Sequence, residues 1–495
     1  MNQVAIPLLL ALPVLGAVLT LLPATDRYAL RLGTAVSGLT LLAALWVAAA
    51  AEAVDRTWVA GLGLHFHVGT DGISTPLVLL TAGLSFLCFG YLEWVQPATE
   101  GPRALVGLLL LLEVGMIGTF VALDLLLFFV FFEVVLVPMW FVIAGWGTDD
   151  ERKTRVGAAN TFILYTLLGS ALMLLGLLLV RAELGTFDMV RLAQLHGEGM
   201  PRHLQLLAAL CFVVGFGVKA PMWPLHTWLP DAHTAAPTVG SVLLAGVLLK
   251  MGTYGLVRIA VPVVPGGMTQ VAPWLGGFAA VGIVYGALAC LAQRDLKRLI
   301  AYSSVGHMGF VLLGIATLTP VGISGALYAN LAHGLITGLL FFLVGAVKDR
   351  HHTGSMTALG AGLYQRAPRL GGLLAFAAVA SLGLPGLAGF WGEMMALLGA
   401  FRPAPGLDRS WFLVLMAVGG VGVVLTTLYL VSVVRRVAQG VSAPHWLEPA
   451  PVLDASRSEL LVWSPVVAGV LVLGLWPKLV LDVTVPAVRG LLGGG

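Results

Sequence analysis

Two lysines lie inside apolar stretches that otherwise have the character of membrane-spanning helices. Lys219 follows FVVGFGV and Lys250 follows SVLLAGVLL. A lysine at the centre of a bilayer costs about 3 kcal/mol on insertion scales, so it persists only beside a cavity, water or a partner charge. Pro221 and Pro224 come directly after the first lysine, and a helix cannot continue its hydrogen-bond ladder through them. A broken helix beside a buried lysine predicts an ion or proton path.

The composition sets the class of protein. Of the 495 residues, 59% are hydrophobic and only 10% are charged, whereas soluble domains carry roughly 25% charged residues. These values predict an all-α polytopic membrane protein. The net charge of +3 reflects orientation in the bilayer, and nucleic-acid binding is excluded as its explanation. The three cysteines, including Cys211 and Cys290, lie in apolar segments without metal-ligand spacing, so they predict buried thiols and no metal site.

Apolar runs near the spanning length of ~20 residues recur about fourteen times along the chain. The region 1–103 is predicted to hold three helices, the first of them retained and not cleaved as a signal peptide. Alternation in LHFHVGTDGIS predicts a surface hairpin within 57–73. The region 435–495 is predicted to hold a proline-rich external loop at 440–458 and a C-terminal helix.

An internal repeat is visible in the ionisable positions. The same offset of 174 residues separates Glu133 from His307 and Lys219 from Glu393. The offset predicts two five-helix units, 104–260 and 274–434, with ionisable groups on their second and fourth helices. Each fourth helix is broken by proline. An odd number of helices inverts the second unit relative to the first, which is a common design in transporters.

Lysine and arginine are distributed unequally over the predicted loops. If the N-terminus is outside, the inner loops hold roughly 16 of these residues and the outer loops about 9. The bias predicts a multi-pass protein embedded in the lipid bilayer with both termini outside; the family resemblance described next implies that this is the inner (plasma) membrane of a bacterium.

Long motifs in the middle of the chain resemble one family. The stretches KAPMWPLHTWLPDAHTAAPTVGSVLLAGVLLKMGTYGLVR and DLKRLIAYSSVGHMGF are similar to those of the antiporter-like membrane subunits of respiratory complex I. These subunits share a fold with subunits of multisubunit cation/proton antiporters. Within complex I, glutamate in GFWGEMM and the sequence DLLLFFVFFEVVLVPMW are the pattern of M-type members. The resemblance covers about 104–400.

The resemblance implies a function for six buried ionisable groups. Glu133 and Lys219 match the pair of the fifth and seventh helices, and a static pair that pins two helices is the simpler alternative. Lys250 matches a central proton carrier, about eleven residues from either end of its span and therefore too deep to reach the interface. His307 and His333 match a hydrated path between Lys250 and Glu393, although a lone buried histidine is more often a packed core residue.

Glu393 matches the terminal proton site of the subunit. A carboxylate that caps the restarted half-helix is the plainer alternative, and the two roles are compatible.

The resemblance also implies what lies outside this chain. No phosphate-binding loop, dinucleotide fingerprint or cysteine cluster occurs in the sequence. No cofactor is therefore expected in this chain, and NADH, FMN, iron–sulfur clusters and quinone are expected in other subunits. The implied partners are the other membrane-arm subunits, with L-type and N-type chains as neighbours. Two alternatives stay open: a subunit of a sodium/proton antiporter, and an inert scaffold between subunits.

Overall fold

The computed structural model of the chain describes residues 4–22, 25–50, 52–96, 99–150, 152–440 and 454–493. The described residues are largely helical, which confirms the predicted fold class. Twelve helices among them are long and apolar enough to cross a membrane. These are Asp26–Ala50, Thr75–Trp94, Pro102–Val121, Leu125–Trp146, Arg155–Leu184, Arg202–Lys219, Thr238–Val263, Pro265–Leu291, Leu296–Ala316, Pro320–His351, Arg409–Ala438 and Arg457–Leu475.

Shorter helices complete the bundle. Three are apolar, Ala5–Leu19, Pro368–Ser381 and Ala388–Phe401. Five more connect or cover the spans: Met189–Leu195, Trp228–Ala235, Met356–Leu359, Leu363–Arg366 and Lys478–Leu491. The count of about fourteen spans, the boundaries of the four regions and the inverted repeat stay predictions.

The predicted surface hairpin is present. Strand β1 (Ala53–Val59) pairs antiparallel with strand β2 (Leu64–Gly69), with Ala53 opposite Gly69. A short 3-10 turn joins them, and Gly63 ends this turn with φ +65°. Glycine adopts that left-handed conformation without the steric cost that a Cβ brings.

Two helices are interrupted where the sequence places proline and glycine. The helix Arg202–Lys219 ends at the first buried lysine, and the chain resumes as Trp228–Ala235. The helix Pro368–Ser381 ends six residues before Ala388–Phe401 begins. Gly383 and Gly386 in the second gap have φ +71° and +94°, a backbone conformation that other residues adopt at a steric cost.

A cluster of charges holds the segment that follows the first interruption. Arg298 Nη2 donates to Asp231 Oδ1 at 2.8 Å, and Lys153 Nζ lies 3.4 Å from Asp231 Oδ2. Arg298 is also 3.5 Å from Asp150. Asp231 therefore ties the helix Trp228–Ala235 to neighbouring elements.

The helices alternate in direction, so the bundle has two distinct ends. The end that carries β1, β2 and the helix Met189–Leu195 is called the hairpin side below. The opposite end, with Lys153, Lys297 and Arg298, is called the basic side. The start of the chain lies on the hairpin side, where Ala5 N donates to Glu52 Oε2 at 3.3 Å.

The C-terminal region differs in one respect from its prediction. The proline-rich stretch with Pro444, Pro449 and Pro451 lies outside the described residues. After it come two helices where one was expected, Arg457–Leu475 and Lys478–Leu491, separated at Trp476 and Pro477. Thr484 Oγ1 in the second helix donates to the Gly72 carbonyl at 3.1 Å, so this helix covers the hairpin side.

Three spans form the enclosed centre. Almost all of the residues in the apolar parts of Thr238–Val263, Leu296–Ala316 and Pro320–His351 are buried, compared with 33% for Arg409–Ala438 and Arg457–Leu475. The enclosed helices carry Lys250, His307 and His333. Polar groups in a bilayer are tolerated when they face protein or a wet cavity, and these positions meet that condition.

An ion pair outside the membrane-spanning segments anchors the hairpin. His67 Nδ1 of β2 lies 2.6 Å from Asp188 Oδ2. The hydrogen bond with Asp188 raises the pKa of His67 above its ordinary value of 6.5, although burial opposes it. Burial alone would raise the pKa of Asp188, but the hydrogen bonds from His67 and from the Arg191 backbone N–H hold it below its ordinary value of 3.8.

These two shifts predict a pH window for the attachment of the hairpin. The His67 contribution is complete below pH 6.5 and is lost as the pH rises through the raised pKa; the Asp188 contribution is complete above pH 3.8 and is lost in stronger acid. A partly exposed pair contributes about 0.2–1 kcal/mol. Amide exchange within 53–69 should therefore quicken modestly when the pH rises from 6 to 9, after correction for intrinsic exchange. Asp188→Asn should remove this pH dependence; an unchanged dependence would contradict the assignment.

Candidate functional site

Lys250 lies in the most enclosed part of the molecule. Its side chain is completely buried, in the α-helical stretch Leu249–Gly255 between π-helical turns at Leu244–Leu248 and Leu256–Ala260. Single π turns inside α-helices frequently occur at functional sites. The Lys250 amine donates a hydrogen bond to the Ala245 carbonyl in the first of these turns. The backbone thus supplies part of the stabilisation that a buried ammonium requires.

The imidazole of His333 is the side-chain partner of Lys250. Lys250 Nζ and His333 Nδ1 are 2.7 Å apart. When Lys250 is an ammonium, which can only donate, Nδ1 accepts in this contact and the ring proton of a neutral His333 sits on Nε2. That nitrogen is buried and has no hydrogen-bond partner within the described structure. A proton can therefore enter the ring at one nitrogen and leave from the other.

Two groups hold His307 from opposite sides of its ring. His307 Nδ1 is 2.9 Å from Glu393 Oε1, and His307 Nε2 is 2.9 Å from Ser381 Oγ. Ser381 ends the helix before the second interruption, and Glu393 lies on the helix after it. The interruption therefore places both Ser381 and Glu393 beside the His307 imidazole. Ser381 was not among the predicted site residues, because a serine at a helix end carries no signal in the sequence.

A small cavity separates the two imidazoles. The ring centroids of His307 and His333 are 5.7 Å apart, and the cavity offers about 20 Å³ to the centre of a water molecule. One water needs about 10–15 Å³ by that measure. Thr337, Ser381 and Glu393 also line the cavity. One water there could connect the two imidazoles. Lys250, His333, His307 and Glu393 are called the buried row below.

The backbone around the second interruption makes room for Glu393. A Cβ at Gly383 would lie 2.9 Å from Glu393 Oε2, and Gly383 has φ +71°. The Glu393 carboxylate thus occupies the space that a side chain at position 383 would need. Glu393 lies within the helix Ala388–Phe401 and not at its first residue, so its contact with His307 describes its place better than capping does.

Glu133 and Lys219 are close but do not form a direct pair in the described structure. The Lys219 amine is buried without a hydrogen-bond partner, as is Glu133 Oε1. The amine lies 4.8 Å from the centroid of the Phe132 ring and 5.9 Å from that of Phe162. Contact with an aromatic face stabilises a cation when it is desolvated. The charges of Lys219 and Glu133 still interact through space.

A polar cavity lies on the basic side of the bundle. It has a volume of about 190 Å³, and Gln96, Lys297, Lys348 and Asp349 line it. Lys297 Nζ donates to the Ala236 carbonyl at its wall. Behind this wall, the His233 ring is fully buried and stacks on Phe341 with centroids 4.6 Å apart.

His233 belongs with the site residues by its position. Its two ring nitrogens have no hydrogen-bond partner among the described residues, and the charges of Lys297 and Lys250 both act on it. The sequence contains a signal, because His233 lies in the motif LPDAHTAAPT, but His233 was not among the predicted site residues. No group of three or more potential metal ligands occurs in the described part of the chain.

Glu113 is a second buried group that the sequence analysis missed. It is completely buried, and Glu113 Oε1 accepts a hydrogen bond from Ser37 Oγ at 3.1 Å. It lies in the apolar run LLLLLEVGMIG, so the criterion that identified Glu133 applies to it equally. Ser37 belongs to the helix Asp26–Ala50, and the contact therefore joins the N-terminal region to the helix Pro102–Val121.

A helical membrane protein with two interrupted helices and a buried line of ionisable groups belongs to the class of ion-translocating membrane proteins. Comparison with known families narrows this class. The family described as NADH:quinone oxidoreductase/Mrp antiporter, transmembrane, matches residues 122–426. The chain belongs to this family.

Two similar proteins are subunits of quinone oxidoreductases. One, NADH-quinone oxidoreductase subunit M of Rhodobacter capsulatus, is 40% identical over 95% of this chain and 91% of its own length. Another, NAD(P)H-quinone oxidoreductase chain 4 of Nostoc, is 38% identical over 97% of this chain and 90% of its own.

Solved structures share the fold. A chain of respiratory complex I from Thermus thermophilus with bound NADH aligns with a TM-score of 0.87 and 31% identity over 99% of both chains. A chain of the Mrp complex from Dietzia aligns with a TM-score of 0.83 and 23% identity, covering 99% of this chain and 98% of that one. At that identity the second match supports the fold alone.

The geometry around His307 predicts the effect of Ser381→Ala. The substitution removes one hydrogen bond, which contributes about 1 kcal/mol net, and leaves the contact with Glu393 in place. Proton transport by the reconstituted complex should fall a few-fold and should not vanish. Ser304→Ala is the matched control, since its hydroxyl bonds only to the Ile300 carbonyl of its own helix. Equal rates for the two variants would show that Ser381 does not orient His307.

Proposed function

We propose that this chain is a proton-translocating M-type subunit in the membrane arm of a respiratory NADH:quinone oxidoreductase. The observation that carries the proposal is the buried row, in which contacts of 2.7 and 2.9 Å and one water-sized cavity link Lys250 to Glu393. Titratable groups at such spacing can exchange protons directly or through one water. NADH oxidation and quinone reduction belong to other subunits, which are expected to hold the NADH, FMN and iron–sulfur sites.

The relatives support this assignment over the alternative antiporter. The relatives at 38–40% identity are quinone oxidoreductase subunits, whereas the Mrp chain is 23% identical. A glutamate at position 393 agrees with the M-type pattern. Flavin and iron–sulfur subunits should accompany the chain when its complex is purified; their absence would indicate the antiporter.

The same assignment suggests how the chain is oriented in the membrane and which subunits lie beside it. The hairpin side is proposed to face outwards and the basic side the cytoplasm of a bacterial cell, since lysine and arginine concentrate on cytoplasmic loops. Both termini would then lie outside. The neighbours in the membrane arm would be the L-type and N-type antiporter-like subunits.

A proton path follows from the arrangement of the polar groups. Protons would enter at the cavity of about 190 Å³ on the basic side, pass Lys297 and His233, and reach Lys250. From there they would follow His333 and His307 to Glu393. Support for the entrance comes from the position of His233, buried between the cavity wall at Lys297 and the Lys250 amine.

Replacing Lys250 with Met should strongly reduce or abolish proton pumping and leave assembly intact. The change keeps the side-chain volume and removes the amine that contacts His333. Proton uptake by reconstituted complexes during NADH oxidation measures the effect, with gel analysis of assembly. Lys478→Met is the matched control, because Lys478 is exposed on the hairpin side. Normal pumping by an assembled Lys250→Met complex would refute the role of Lys250.

Glu133 and Lys219 are proposed to act together as an electrostatic switch. In the described structure they are separated, with Lys219 held over the Phe132 ring. Closing the pair would stabilise the ammonium and change the field at Lys250, because opposite charges within about 4–6 Å favour each other's ionised forms. Separation would reverse both effects. This two-state behaviour would couple distant redox chemistry to the buried row.

The switch predicts non-additive substitutions. Glu133→Gln and Lys219→Met should each impair pumping, and the double variant should be no worse than the more severe single variant. The double variant should also assemble better than Lys219→Met alone, which leaves a carboxylate unpaired inside the membrane. Pumping and assembly of the three complexes test this. Losses that multiply in the double variant would mean that the two residues act independently.

A further inference from the structure

Arg258 lies between the Lys250 site and the hairpin side. It occupies the second π turn, Leu256–Ala260, eight residues beyond Lys250 on the same helix. At 1.5 Å per residue this is a rise of about 12 Å. The Arg258 side chain is only 12% exposed, and its Nη1 lies 2.5 Å from Asp71 Oδ2. An arginine this close to a proton carrier affects the energy of any cation that approaches from the hairpin side.

Asp71 is held in position independently of its contact with Arg258. Its other oxygen, Oδ1, accepts hydrogen bonds from the backbone N–H groups of Ile73 and Ser74, both at 3.0 Å, at the start of the helix Thr75–Trp94. Asp71 is the more exposed partner, at 34% against 12%. The positive end of this ion pair is therefore the end nearer the protein interior.

A vestibule lies outside the ion pair. Its volume is about 410 Å³, and Glu52, Thr70, Asp71, Gln194, His196 and Arg258 are among its lining residues. A space of this size and polarity holds several waters. Water and hydronium ions can thus reach Arg258 from the hairpin side.

An aromatic layer separates Arg258 from Lys250. Tyr254 is fully buried, its hydroxyl donates to the Phe120 carbonyl at 2.9 Å, and its ring meets Phe120 edge-on at 5.2 Å. Thr253 and Asn330, the polar neighbours on the Lys250 side, bond to each other at 2.9 Å. The hydrogen-bonding groups in this layer are thus engaged with one another.

We propose that Arg258, held by Asp71, is an electrostatic barrier that prevents protons in the vestibule from reaching Lys250. A guanidinium keeps its charge at every physiological pH, and an arginine in a narrow passage excludes protons and other cations. The barrier rests on the proposed function, since it matters only if Lys250 carries protons. It makes the buried row the required exit, because a proton on Lys250 has no second way out towards the hairpin side.

The test measures passive proton leak in proteoliposomes that contain the purified complex. A pH gradient is imposed without NADH, and its decay is followed with an internal pH-sensitive dye. Arg258→Met should raise the leak by about tenfold, which corresponds to ~1.4 kcal/mol. Arg258→Lys keeps a positive charge and should leak less than Arg258→Met. The matched control is Arg181→Met, since Arg181 lies on the hairpin side beside Phe187 and away from Lys250.

A double variant identifies the route of the leak. Arg258→Met combined with Lys250→Met should return the leak to the wild-type level, because the carrier behind the barrier is gone. A leak that persists in the double variant would overturn the proposal, as would an assembled Arg258→Met complex without any leak. If Arg258→Met fails to assemble, the neutral and polar Arg258→Gln takes its place, and a tight membrane with an assembled Arg258→Gln complex overturns the proposal. Failure of the proposed function looks different, since Lys250→Met alone would then pump normally.

Discussion

The contact between Lys250 and His333 requires an enclosed and hydrogen-bonded environment, and the surrounding helices provide it. A buried amine 2.7 Å from an imidazole is stable only when water and lipid are kept away and hydrogen bonds replace hydration. The three helices that carry Lys250, His307 and His333 are accordingly highly enclosed, whereas only 33% of the apolar parts of Arg409–Ala438 and Arg457–Leu475 is buried. The π turns on either side of Lys250 belong to the same arrangement.

Much of this site can be predicted from the sequence, because the cost of charge in a bilayer makes each ionisable residue in an apolar run informative. Lys219, Lys250 and Glu133 stand out in this way, and proline and glycine mark both interruptions. Which side chains contact each other in the folded protein is harder to predict from the sequence. The distance between Lys219 and Glu133 depends on side-chain rotamers, and the role of Ser381 depends on how two half-helices are placed around one ring. Glu113 was missed although its signal was as strong as that of Glu133.

Local sequence also explains why one C-terminal helix became two. Apolar residues continue past residue 475, so a single C-terminal helix is a reasonable expectation from composition. Pro477 follows Trp476 directly, however, and the residue before a proline is disfavoured in helical geometry. The following helix, Lys478–Leu491, then lies against Gly72 on the hairpin side. The backbone restriction that Pro477 places on Trp476 therefore outweighed the hydropathy of the surrounding segment.

The two interruptions have different surroundings, although the predicted repeat would place them at corresponding positions. The first leaves Lys219 over aromatic rings without a hydrogen bond, so its influence on its neighbours is a field effect that varies with its distance from Glu133. The second delivers Ser381 and Glu393 to His307 within 2.9 Å, so its influence is exerted through hydrogen bonds. An electric field acts over several ångströms without a continuous chain of hydrogen-bonded groups. Proton transfer, in contrast, requires such a chain. In the proposed mechanism, the first half of the molecule would therefore receive a signal and the second half would conduct a proton, with Lys250 where the two meet.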